Sequence, residues 1–394
     1  MPEAKPGPVP ELRFPEFRDA GPWEVKRLGE LVETVTPPKK LQTSEYLPSG
    51  RFPIIDQSPS DVCGWTNDET AMVQADFPLV VFGDHSCVVK LANGPFAQGA
   101  DGIKILAPTS EIEARFLFLS LQADPIEQKG YKRHFSTLKE KQIPFPRKDT
   151  GEQQKIADCL RSLDDLIRAE KRRLEALSAH KTGLMQCLFP AIGQTTPRLR
   201  FPEFEGAGPW EVKRLGDSEI ARFIRERVAA EDVPLGHYVS TVNLLPAFCG
   251  LSPEPEKPPA GSAIAYREGD ILMSNIRPYL QKVWVADRSG GASNDVLVVR
   301  PSKSVVKSFL SQLLMSERFI SHVMGGAKGV KMPRGDLEQI QDFEVPLPAR
   351  PEQQKIADCL TALDDLIRAQ GETIEALKTH KRGLIQRLFP REVG

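Results

Sequence analysis

Residues 152–190 read EQQKIADCLRSLDDLIRAEKRRLEALSAHKTGLMQCLFP, and residues 352–390 read EQQKIADCLTALDDLIRAQGETIEALKTHKRGLIQRLFP, identical at 27 of 39 positions. Apolar residues in the first fall at Ile156, Leu160, Leu163, Ile167, Leu174, Leu177, Leu184 and Leu188. In the second they fall at Ile356, Leu360, Leu363, Ile367, Ile374, Leu377, Leu384 and Leu388. Each seam has two polar gaps, Glu170 and Lys181 or Gln370 and Lys381. Counting these, the mean step is about 3.5 residues, the period of a coiled-coil seam. Polar residues at such positions cost stability but can fix register. Each helix is expected to start near Glu152 or Glu352, with Pro351 just ahead of the second, and to stop before Pro190 or Pro390. About 37 residues at ~1.5 Å each make a rod of ~55 Å. A lone helix of this kind would leave a leucine stripe in water. The economical arrangement packs the two copies on each other, antiparallel if a pseudo-twofold axis relates the halves. The alternative is two unrelated core helices in separate domains.

Outward from the helices, the repetition continues. Residues 12–29 (LRFPEFRDAGPWEVKRLG) and 199–216 (LRFPEFEGAGPWEVKRLG) match at 16 of 18 positions. The stretches between these matched ends look unrelated. A chain that keeps its frame and changes its filling has one scaffold carrying two different readers. Short β-branched runs recur in both fillings: PLVVF (78–82), CVVKL (87–91) and GIKIL (102–106), then SAIAY (262–266), DILMS (270–274), KVWVA (282–286) and DVLVV (295–299). A helix is expected near 111–122, with its counterpart near 304–323. The sequence therefore predicts an α+β protein with a pseudo-twofold internal repeat. Its two mixed, β-rich domains are separated by two long antiparallel coiled-coil helices. The expected boundaries are a disordered leader (1–11), a first variable domain (12–149), a central helix (150–190), a linker (191–198), a second variable domain (199–350) and a C-terminal helix (351–390).

Composition narrows the class. The chain has 394 residues, 40% hydrophobic, enough for two or three packed domains. The start MPEAKPGPVPE lacks the basic and apolar regions of a signal peptide, and no apolar run approaches a membrane span, so a cytoplasmic location is the default. The six cysteines form no C-x-x-C pair, against a zinc ribbon or a disulfide framework. Net charge is −1, which counts mildly against a dedicated nucleic-acid binder. Charge is nonetheless local: residues 126–148 carry seven Lys or Arg against two acids. No phosphate-binding loop, amino-methyltransferase signature or H-E-x-x-H occurs, and GGAKG (325–329) lacks the spacing of a phosphate loop. The expectation is a binding protein with no catalytic residues and no metal site.

Three elements invite DNA. GYKRHFSTLKE (130–140) mixes Lys132, Arg133, His134 and Lys139 with aromatic residues, which suits phosphate and base contact, or is a solvated loop. GAKGVKMPRGDLEQ (326–339) occupies the corresponding place in the second half, with Lys328, Lys331 and Arg334 beside glycines that permit close backbone approach to phosphate. SNIRPYL (274–280) lies between two candidate strands. Asn275 and Arg277 can make bidentate contacts to A and G, and Tyr279 accompanies them; a structural turn is the alternative. GDHS (83–86) sits similarly in the first half, where Asp84 and His85 either read bases or cap a turn.

These pieces carry a resemblance. LRFPEF with W and KRLG before each variable domain, and GEQQKIADCL or PEQQKIADCL with LDDLI after it, resemble the frame of type I restriction–modification specificity subunits. GDHSCVVK with GYKRHFSTLKEKQIPFP is similar to one type of target-recognition domain, and GDILMSNIRPYLQKVWVAD to another. The resemblance implies two target-recognition domains, each reading one half of a split, asymmetric double-stranded DNA sequence. It implies partners: two methyltransferase subunits, which bring S-adenosylmethionine, and restriction subunits, which use ATP and Mg. It implies no cofactor on this chain. Alternatives are the specificity chain of a type IIB-like system, a coiled-coil adaptor that binds protein, and an unrecognised nuclease or methyltransferase.

Overall fold

The computed structural model describes residues 7–390 apart from Asp101, Lys129, Tyr131, Val330 and Lys331. It divides into two compact units, Met1–Lys171 with Glu372–Gly394, and Arg172–Gly371. Each unit thus holds one variable domain, the first part of the long helix that follows it, and the last part of the other long helix.

The first unit runs β1 (Glu24–Arg27), α1 (Leu28–Leu31), β2 (Val32–Val35), β3 (Phe52–Ile55), β4 (Gly64–Thr66), β5 (Leu79–Gly83), β6 (Val89–Ala92), β7 (Ala97–Gln98), β8 (Ile103–Pro108), α2 (Ala114–Ala123), α3 (Phe135–Glu140), β9 (Gln142–Phe145) and the start of α4 (Glu152–Leu188). Its larger sheet has the order β2-β8-β5-β6, antiparallel throughout. The LVVFG run of β5 is buried on both faces, which is why it reads as continuous rather than alternating. A second sheet has the order β4-β3-β7, and β1 pairs with β9 alone. Pro144 lies within β9, where an isolated two-stranded ladder tolerates a missing N–H.

The second unit repeats the plan. Its strands are β10 (Glu211–Arg214), β11 (Ala221–Phe223), β12 (Arg227–Ala229), β13 (Tyr238–Val239), β14 (Ser262–Tyr266), β15 (Ile271–Ser274), β16 (Val283–Val285), β17 (Gly290–Ala292), β18 (Val296–Pro301) and β19 (Glu344–Leu347). Its helices are α5 (Lys307–Leu314), α6 (Glu317–Gly325), α7 (Leu337–Gln341) and α8 (Arg350–Leu388). Sheet order β11-β18-β15-β16 matches that of the first unit, and β10 pairs with β19 as β1 does with β9. The smaller sheet is larger by one strand, β12-β14-β17-β13.

The sequence differs from the structure in four places. The helix expected over 304–323 is broken into α5 and α6, because the Ser316 side chain accepts the Phe319 N–H at 3.2 Å and starts a new helix. Pro351 lies inside the first turn of α8, which begins at Arg350; a first-turn residue needs no N–H partner. Of the short strands of the smaller sheets, only β14 is announced by its run, SAIAY; the others are too short to show a period. Of the expected disordered leader, residues 1–6 lie outside the described residues, but residues 7–11 are docked. Pro8 accepts the Trp23 N–H at 2.9 Å and Glu11 meets Arg387 at 2.7 Å. Thr195 accepts the Trp210 N–H at 2.7 Å in the same way, so leader and linker play one role in two units.

The helix seam is buried deepest where it enters each core. Ile156 and Leu160 join Trp23, Phe116 and Phe145 with Leu388 and Phe389 in the first unit. Ile356 and Leu360 join Trp210, Phe309 and Phe343 with Leu188 and Phe189 in the second. Within each unit the two helix segments run antiparallel. Ile156 packs near the α8 end, while Asp164, two turns on, bonds Lys381 at 2.6 Å. The second unit has the reciprocal pair, Lys181 with Asp364, also at 2.6 Å. The lysine gaps in the seam are therefore ion pairs at matched positions. They stabilise weakly but penalise any slip of register, since a slipped lysine would lie half-buried without its partner.

What ties frame to helix is a buried ion pair present twice. The Arg13 guanidinium donates to Glu152 through Nε at 2.8 Å and Nη2 at 2.7 Å, and both side chains are over nine-tenths buried. Arg200 donates to Glu352 at 2.7 and 2.8 Å, and the carboxylate raises the arginine pKa against the effect of burial. The next residue of each helix fastens the variable domain. Gln153 accepts the Glu113 N–H at 2.8 Å and donates to Pro146, and Gln353 accepts the Val306 N–H at 2.9 Å and donates to Pro348. Glu113 and Val306 are the N-caps of α2 and α5.

Candidate nucleic-acid interface

In both units the turn after the central strand is clasped to the loop before the short helix. The sequence marks these elements separately; the fold brings them together.

In the first unit the turn after β5 carries Asp84, which is buried. Its Oδ1 accepts the N–H of His134 at 3.0 Å and of Phe135 at 2.8 Å, and its carbonyl accepts from His134 as well. These are the orphan donors at the start of α3, so Asp84 is the cap of that helix rather than a free reader. His134 is 2% exposed, with Nδ1 3.2 Å from the Asp84 carbonyl. Both residues hold the basic loop in place. His85 is half-buried, and its carbonyl accepts from Gln128 at 2.9 Å, a second stitch. The loop so held exposes Lys132 and Arg133, neither with a carboxylate partner among the described residues. Exposed Lys139 places Nζ 5.5 Å from the Phe135 ring centre, and Lys104 of β8 places its own at 5.4 Å from the same ring. Lys104 is a site cation that the sequence reading passed over, because it comes from a strand 28 residues before Lys132. Below the turn, Lys90 donates to the Asp56 carbonyl at 2.8 Å; burial holds its ammonium below its ordinary pKa, opposed by the Asp56 charge.

In the second unit the turn between β15 and β16 is clasped, among the described residues, through backbone bonds. Gly335 donates to the Asn275 carbonyl at 3.0 Å, and Arg277 donates to the Pro333 carbonyl at 2.7 Å. A Cβ at Gly335 would lie 2.8 Å from Asn275 Oδ1, so this approach requires glycine. That Oδ1 is buried and makes no hydrogen bond. Asn275 therefore turns its amide oxygen inward, which corrects the expectation that it offers a bidentate edge to adenine. Arg277 is exposed and left-handed, φ 51°, ψ 60°. Gln281, Ala247 and Phe248 are left-handed too, and they abut: Ala247 donates to Leu280 at 3.0 Å and Phe248 to Gln281 at 2.9 Å. Left-handed non-glycine residues cost about 1–3 kcal/mol each and gather where a structure fixes side chains for a purpose. Lys282 donates to Thr241 at 2.6 Å; burial, then the Arg277 charge, push its pKa down. The loop itself closes through paired backbone bonds of 2.9 Å between Lys328 and Arg334. Lys328 meets Asp336 at 2.5 Å and Arg334 meets Asp295, so both of these exposed cations already have an acid. Exposed pairs contribute about 0–1 kcal/mol, so exchange of the acid for a phosphate is cheap. Tyr279 is half exposed, and Lys331 lies outside the described residues.

The two units thus carry cationic clasps of equal topology and different chemistry. The family profile for the type I restriction modification DNA specificity domain matches residues 21–179 and 262–379. The chain belongs to that family. It is 23% identical to the MjaVIII specificity subunit of Methanocaldococcus jannaschii over 97% of this chain and 94% of that one. It is 24% identical to the EcoDI specificity subunit of Escherichia coli over 88% and 83%. Its fold is like that of the S subunit of the type I system from M. genitalium, with a TM-score of 0.57 at 16% identity, covering 98% of this chain and all of that one. A structure from work on type I complex assembly and conformational transition gives 0.54 at 17% identity, covering 93% and 97%. The profile stops at 179 and resumes at 262, so the 246–250 loop that bonds Leu280 and Gln281 falls in the stretch it does not match. Among the described residues, no helix is long and apolar enough to cross a membrane.

Proposed function

We propose that this specificity-family chain reads a split, asymmetric target in double-stranded DNA, one half-site per unit, and supplies no catalytic group itself. The observation that carries this reading is the clasp: the same turn and loop in both units, joined in both, with unlike residues at their exposed positions. A shared frame with unlike edges gives a non-palindromic target. Lys132, Arg133, Lys139, Lys328, Lys331 and Arg334 would hold phosphates and set orientation. Arg277 would read a base, its fork fitting guanine O6 and N7. The repeated frame presents the same surface twice, which suits two copies of one partner. The family resemblance supports an adenine methyltransferase subunit as that partner, which would bring S-adenosylmethionine, with restriction subunits that would use ATP and Mg joining the complex. The low net charge fits a chain whose partners complete the grip on DNA.

The test is a duplex-binding titration across salt, with and without the methyltransferase partner, alongside an assay for methyl transfer. The expected result is target binding that weakens steeply with salt, and methyl transfer only when the partner is present. Methyl transfer by the pure chain alone, or salt-independent partner binding with no DNA affinity, would replace this reading with an enzyme or an adaptor.

A further inference from the structure

The exposed apolar side chains differ between the clasps in a way the frame does not explain. Val25 and Val212 are one frame position, as are Leu166 and Leu366, and all four are exposed. With these set aside, the second unit exposes Tyr279 (50%) and Met332 (54%) at the clasp itself. In the first unit, among the described residues, no large apolar side chain is exposed in 83–88 or 130–140.

Tyr279 and Met332 flank the same arginine. Tyr279 is two residues beyond Arg277 in the same turn, and Met332 precedes Pro333, whose carbonyl accepts the Arg277 N–H at 2.7 Å. Arg277 has no carboxylate partner among the described residues, and its left-handed backbone is pinned at both sides by hydrogen bonds. An unpaired guanidinium on a pinned backbone, with exposed apolar neighbours, is poorly suited to a phosphate track, which calls for cations alone. It matches a major-groove edge where guanine O6 and N7 adjoin a thymine, whose C5-methyl is the distinctive apolar group of that groove.

We propose that Tyr279 and Met332 are specificity-determining residues that contact thymine methyl groups beside the guanine read by Arg277, in the half-site of the second unit. This rests on the DNA-reading function proposed above. Among the described residues the clasp of the first unit exposes cations and no large apolar group, so the proposed contact is assigned to the second unit alone.

The experiment uses the chain assembled with its methyltransferase partner and its mapped target. Exchange of residues 30–146 identifies the second half-site as the half that does not change. Duplexes then carry deoxyuridine in place of thymidine in one half-site at a time. Loss of each contacted methyl should weaken binding about fourfold. That loss is expected in the second half-site, should shrink in Tyr279→Ala or Met332→Ala, each of which lacks one contact, and should vanish in the double variant. Deoxyuridine in the first half-site should change nothing. Both substitutions are at exposed positions, and unaltered binding to non-target DNA checks that the variants are folded. The proposal is overturned if deoxyuridine has equal effect, or none, in both half-sites while salt-dependent target binding persists; the DNA-reading function then stands. It is also overturned by a second half-site without a thymine adjoining a guanine. An assembled complex with no DNA affinity overturns this proposal and the function beneath it together.

Discussion

The two units share the lock that joins frame to helix almost atom for atom and differ at the clasp. Arg13 on Glu152 and Arg200 on Glu352 have the same atoms paired at distances within 0.1 Å of each other. Yet the first turn is fixed by a buried carboxylate, Asp84, and the second by backbone bonds and left-handed residues. Identical interactions are confined to what both units must do alike, which is to hold a domain on a helix. Unlike interactions occur where each must do something different. The largest effects should therefore be equal in the two units, and the smaller ones should belong to one.

Removing a frame carboxylate should have the largest effect, and the same one in each unit. Glu152→Ala leaves the Arg13 guanidinium buried without its partner, and Glu352→Ala does so for Arg200, each costing about 3–5 kcal/mol. Urea denaturation of the two variants measures this. A large loss in one and none in the other would mean that the two frames are not equivalent. Asp84→Ala comes next. It strips the buried carboxylate from the Phe135 N–H, at about 1–3 kcal/mol for an unsatisfied buried group, while the His134 N–H keeps the Asp84 carbonyl. It should weaken recognition of the first half-site only, measured on duplexes scrambled in one half at a time. Loss on both halves would make Asp84 a general folding residue. Arg277→Ala, with no buried partner to abandon, should leave stability unchanged. It should cost about 1–3 kcal/mol on the cognate target and relax preference at one base pair of the second half-site. Equal weakening on cognate and scrambled duplexes would make it a backbone contact instead.

The helices were legible because their period is sampled over many turns and twice over, and their polar gaps already contained the register-setting lysines. The clasps were legible only in part. GDHS and GYKRHFSTLKE each read as a turn and a basic loop, but the bond between them joins Asp84 to His134, 50 residues on. Nothing local to either stretch signals it. Asn275 shows the same limit: residue type suggests a reader, while its close approach to Gly335, 60 residues away, turns its oxygen inward. Lys104 was missed because it belongs to a strand whose side chains alternate between faces, and only the fold sets it beside Phe135. The Arg13–Glu152 lock, 139 residues apart, had a visible signal. Its arginine and its glutamate both recur unchanged in the two repeated frame segments.

The most direct test exchanges residues 30–146 for the matching segment of a relative and maps the sequence then recognised by the assembled complex. Two units that read independently on a common frame predict a target in which one half changes and the other, with its distance from the first, is retained. A target changed in both halves would contradict the account.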